Sequence, residues 1–118
     1  MANRDPLAID EWYHCYNRGV DKRRIFGSAK DYERFQALLF LANGERPVHF
    51  SNLKDSNFGS LVTSVSDRRG SSLVEVGAYS LMPNHFHIIL KEIRVGGVAS
   101  YMQKIFTGYT MYFNKKHE

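Results

Sequence analysis

The chain has 118 residues, 43% of them apolar and 24% charged. These are the proportions of an ordinary globular domain, so a disordered or fibrous chain is excluded and the length leaves room for one core and not two. Sixteen Lys and Arg against twelve Asp and Glu give a net charge of +4, a modest bias toward a polyanionic partner. The single cysteine, Cys15, excludes an intrachain disulfide and a cysteine-based zinc cluster. No apolar run suits a signal peptide or a membrane span, so a cytoplasmic chain without membrane contact is expected.

Residues 11–17 alternate, with Trp12, His14 and Tyr16 on one side and Tyr13 and Cys15 on the other, which predicts a strand with both faces at least partly covered. Arg18-Gly19 ends it, and Asp21-Lys22-Arg23-Arg24 reads as a charged turn. Ser28 followed by Asp31 has the spacing of a capping box, and Tyr32, Phe35, Leu38, Leu39 and Ala42 form an apolar stripe at helical spacing. Asn43-Gly44 stops that helix. From 45 to 72 the periodicity fails among Gly, Ser, Asn and Asp, as in a long loop or insertion.

Residues 73–82 form a β-type run, Pro83-Asn84 interrupts it, and 85–90 form a second run expected to lie beside the first. After Gly96-Gly97, the residues Val98, Tyr101, Met102, Ile105, Tyr109, Tyr112 and Phe113 keep a helical rhythm. Strand, helix, strand, strand, helix in that order predicts an α+β fold. The expected arrangement is a ferredoxin-like two-layer sandwich, an antiparallel sheet with helices on one face. A full unit of this kind has a fourth strand after the last helix, so the domain reads as incomplete at its C-terminus. The sheet edge left unpaired favours a homodimer.

The segment Met82-Pro83-Asn84-His85-Phe86-His87 carries the chemistry. Residues i and i+2 of a strand share a face, so His85 and His87 stand about 7 Å apart along the backbone while Phe86, Ile88 and Leu90 point the other way into the core. Two neutral imidazoles side by side are ligands for a divalent ion and leave coordination positions open for an oxygen substrate. Taken alone, the same His-x-His is also what two unrelated surface histidines look like. His14 is expected either in the core or on the face that carries this pair. Lys104, Lys115 and Lys116 read as the solvated side of the last helix.

The motifs Tyr13-His14-Cys15-Tyr16-Asn17-Arg18-Gly19, Arg24-Ile25-Phe26, Leu81-Met82-Pro83-Asn84-His85-Phe86-His87 and Tyr109-Thr110-x-Tyr112-Phe113-Asn114 resemble those of the IS200/IS605-like single-tyrosine transposases. The nearest branch is the REP-associated tyrosine transposases. The likeness spans the chain apart from 45–72.

It implies a metal-dependent DNA transposase domain that cleaves single-stranded, hairpin-containing DNA and transfers the strand through a phosphotyrosine. The resemblance makes His85 and His87 the ligands of Mg²⁺ or Mn²⁺, the pair known as the HUH motif. It puts the nucleophilic tyrosine beyond Glu118, and helical spacing makes Tyr101, Tyr109 and Tyr112 packing residues. The candidates for DNA contact are Arg18, Lys22, Arg23, Arg24 and Asn84. Two alternatives stay open: a catalytically inactive nucleic-acid-binding module, and a metal-dependent phosphodiesterase that uses water.

Overall fold

The computed structural model describes residues 6–47 and 69–117. In chain order it has β1 (Trp12–Arg18), a tight turn at Val20–Lys22, α1 (Ala29–Leu41), β2 (Val74–Met82), β3 (His85–Glu92) and α2 (Gly97–Lys116). The strands form one antiparallel sheet in the order β1-β3-β2. This is the split βαβ arrangement with β3 inserted between β1 and β2, and both helices pack on one side, so the α+β sandwich read from the sequence is present. Most of the 45–72 loop lies outside the described residues. Its two ends meet: Glu45 N–H donates to Ser71 O at 3.0 Å and Arg46 N–H to Arg69 O at 2.9 Å. Among the described residues no helix is long and apolar enough to cross a membrane.

The core follows from the alternation in β3. Phe86, Ile88, Leu90 and Glu92 are buried against the helices, and His85, His87, Ile89 and Lys91 face the other way. The buried row meets Phe35, Leu38 and Leu39 of α1 and Val98, Tyr101, Ile105 and Tyr109 of α2. Each large apolar side chain buried in this way contributes about 1.5–3 kcal/mol.

Polar groups taken inside are paired. Glu92 accepts from the backbone N–H of Val98 at 2.7 Å and of Gly96 at 3.2 Å, and so places a carboxylate at the start of α2. Asn43 ties the end of α1 to β2 through Leu73 N–H, Val74 N–H and Val74 O.

The start of α1 rests on the acidic half of the expected capping box. Asp31 Oδ2 accepts from Gly27 N–H at 2.6 Å and Ser28 N–H at 3.2 Å. Its other oxygen accepts from Tyr112 Oη at 2.6 Å and Lys116 Nζ at 2.8 Å, which locks α2 to α1. Burial pushes the Asp31 carboxyl up, but the hydrogen bonds from Lys116, Tyr112 and Gly27 and the Lys116 charge outweigh it and bring it down to about 2.

Lys116, on the exposed side of α2 as expected, is thus also a structural cation. So is Lys104, which donates to Gly44 O at 2.5 Å. A difference from expectation concerns β1. The two described helices pack on one face of the sheet, and Trp12 and Tyr16 of the outer row are exposed, so the strand is not covered on both faces among the described residues.

Candidate functional site

The outer sheet face is built by register. Tyr16 pairs with His87, His14 with Ile89 and Arg18 with His85, while Ser80 and Met82 of β2 pair with His87 and His85 from the other side. His14, Tyr16, Asn17, Arg18, His85, Phe86 and His87 line a recess of about 240 Å³ at this end of the sheet.

The two-residue loop Pro83-Asn84 joins β2 to β3 and turns the chain so that His85 is the first residue of β3. The rings of His85 and His87 lie 5.2 Å apart between centroids at an interplanar angle of 87°. An ion about 2.1 Å from a ring nitrogen sits about 3.2 Å from that ring's centroid, so two rings at this separation can share one. His85 Nδ1 lies 2.7 Å from Asn84 Oδ1. The amide oxygen can only accept, so Nδ1 carries the proton and Nε2 keeps its lone pair for a ligand.

His14 joins the pair. Its Nε2 is 2.7 Å from His87 Nδ1, and the two rings stack at 4.9 Å and 18°. When His87 donates in this contact, its Nε2 is the free lone pair. Loss of hydration, and then the repulsive potentials of His14, His85 and Arg18, hold His87 below the ordinary histidine value, which favours the neutral ring that metal ligation requires. Among the described residues no three His, Cys, Asp or Glu side chains are arranged to hold a metal ion. His85 and His87 are two adjacent imidazoles on this face, with His14 bonded to the second ring.

The basic residues converge on the same end. Gly19 N–H donates to Asn84 O at 2.9 Å, and Ile25 N–H and Phe26 N–H both donate to Pro83 O, at 2.8 and 3.1 Å. The turn carrying Lys22, Arg23 and Arg24 is thereby stitched to the loop that precedes the histidines, and all three are exposed. Gly19 is required there, because a Cβ would stand 2.2 Å from Arg23 O. The turn is tight enough to hold Asp21 and Lys22 at positive φ, 56° and 60°, a strain of order 1–3 kcal/mol per residue.

The helix tyrosines are engaged elsewhere. Tyr101 Oη donates to Leu39 O at 2.6 Å, Tyr109 Oη donates to Ile25 O, and Tyr112 Oη to Asp31. Burial raises all three phenols, and the adjacent Asp31 carboxylate adds to it for Tyr109 and Tyr112; Tyr112 is pushed up to about 12. They are packing residues, as their spacing predicts.

Two residues of the outer face carry no site signal of their own in the sequence: Tyr16, 66% exposed, and Trp12, 49% exposed. The available hint is that they share their parity with His14. The pairing of Tyr16 with His87 is a long-range fact that no local pattern contains.

Compared with family models, with curated proteins and with solved structures, the chain gives no match.

Proposed function

We propose that the chain is a DNA transposase domain of the single-tyrosine kind, in which a divalent metal at His85 and His87 serves cleavage and strand transfer on single-stranded, hairpin-containing DNA in the cytoplasm. The observation that carries this reading is the convergence at one sheet end of two imidazoles, an Asn84 oxygen that sets the His85 tautomer, and a basic turn hydrogen-bonded to the same loop.

In this reading Asn84 orients His85, and His87 is oriented by His14. Arg18 and the Lys22, Arg23 and Arg24 turn hold backbone phosphates by charge. The chemistry that a bound Mg²⁺ or Mn²⁺ supplies is polarisation of a phosphoryl oxygen and neutralisation of charge developing in the transition state. The resemblance places the attacking phenol on a tyrosine beyond Glu118, and Tyr101, Tyr109 and Tyr112 are committed to the core. β1 has no neighbour on its outer side among the described strands, which suits a homodimer paired through that edge.

Titration calorimetry with MnCl₂ tests the reading together with nicking of an end-labelled hairpin oligonucleotide. Wild type should take up the ion and, in a chain that continues past Glu118, nick, while His85→Ala and His87→Ala should lose both and keep their fold by circular dichroism. Absence of manganese uptake by wild type ends the proposal. The occupied helix tyrosines favour one second reading, a binding module without catalysis. The two separate on SDS-resistant capture of the hairpin by a chain that continues past Glu118: an adduct supports strand transfer, and binding without an adduct supports the module.

A further inference from the structure

Beyond the histidine pair, the outer row of β1 presents exposed aromatic surface. Trp12 and Tyr16 both stand on the outer row of β1, and the Trp12 indole also borders a recess shared with Gln36 and Phe40 of α1. The Tyr16 ring touches His14 and His87 on its inner side, at 5.1 and 6.1 Å between centroids, and 66% of the residue is open to solvent. The Trp12 indole reaches across β3 to β2, where a Cβ on Gly77 would come within 2.7 Å of it. Gly77 stands at the irregularity between Val76 and Ala78, so bulge and glycine together clear the space in which the indole lies.

Large aromatic rings left in water can serve a ligand with flat apolar faces. The choice of ligand is made by charge. Arg18 follows Tyr16 by two residues, the Lys22, Arg23 and Arg24 turn lies beyond it, and Lys91 Nζ is 5.8 Å from the Trp12 ring. Cations therefore accompany both rings, Lys91 being shared with Glu75 at 3.8 Å, and a polyanion with stackable bases meets charge and ring together.

We propose that Trp12 and Tyr16 are two base-stacking stations that grip unpaired nucleotides on the strand entering or leaving the histidine site. The inference rests on the reading of nucleic acid as the ligand and adds the residues that recognise it. Four residues along a strand separate the backbones of the stations by about 13 Å, and the indole lies farther off over Gly77, whereas bases stacked in a duplex rise by about 3.4 Å each. Bases on the two rings belong to an extended strand, so the face selects single strands over duplex.

Trp12 is the only tryptophan, and its emission reports directly on one station. The protein is titrated, in EDTA so that no cleavage occurs, with a fluorescein-labelled single-stranded oligonucleotide and with the same sequence as a blunt duplex. Trp12 emission and fluorescein anisotropy are followed together. The single strand should quench Trp12 and the duplex should not, and Tyr16→Ala, folded by circular dichroism, should weaken single-strand binding by roughly five- to 150-fold.

Binding that leaves Trp12 emission unchanged and is indifferent to Tyr16→Ala overturns the proposal, as does the absence of single-strand binding. Quenching without metal-dependent nicking by a chain that continues past Glu118 would sink the transposase reading and leave the stacking stations standing. Nicking without quenching would do the reverse.

Discussion

The two faces of β3 are made by alternate residues of one eight-residue strand, yet they live under different constraints. Phe86, Ile88 and Leu90 are at most 3% exposed and interlock with both helices. Any change there is felt as a void, because interiors are packed to crystal density. One residue away in each case, His85 meets His87 and Asn84, and His87 meets His14 and Tyr16. The lesson is that a strand covered on one side carries two separable sets of information: one row specifies the fold and the other is free to specify a ligand.

Substitutions can break or sharpen this contrast. The largest effect is expected from Ile88→Ala, which removes a side chain with 0% exposure and should cost about 2–5 kcal/mol in urea denaturation; a loss below about 1 kcal/mol would mean that the inner row is not the core. Next comes Asp31, also at 0% exposure. Its carboxyl is held at about 2 against an ordinary 3.8, so its contribution is complete above about pH 4 and is lost as pH falls toward 2. That contribution is about 2 kcal/mol, and in the Asp31→Asn variant the stability profile between pH 4 and 2 should be correspondingly flatter.

On the outer row the effects move from stability to binding. Asn84→Ala should lower manganese affinity by about 10- to 100-fold, since the group that orients His85 is gone, and should leave the melting temperature nearly unchanged. The smallest stability effect is expected for His85→Ala and His87→Ala, within about 0.5 kcal/mol of wild type. Unfolding by either would erase the distinction between the faces and make the histidines structural.

Much of the fold was legible because its signals are local. The two-residue period of 85–90, the helical stripes of α1 and α2, Asp31 placed three residues after Ser28 and the Pro83-Asn84 break are each set by neighbours in the chain. The His85 and His87 pair was legible for the same reason, since strand geometry alone places i and i+2 on one side. What the strand alternation left open was cover. Whether Trp12, His14 and Tyr16 meet protein or water depends on where the helices pack, and α1 and α2 both take the other face.

By itself, then, the amino-acid order determined the elements, the inward row of β3 and the shared direction of its two imidazoles, because these depend on backbone periods a few residues long. Only the tertiary structure decided that His14 bonds to His87, that the Lys22, Arg23 and Arg24 turn is tied to Pro83 and Asn84, that Lys116 completes the Asp31 network, and that Trp12 lies over Gly77. Such contacts join residues far apart in the chain, 73 positions for His14 and His87 and 85 for Asp31 and Lys116. Their register comes from how the whole sheet and its helices close on one core, which no local pattern encodes.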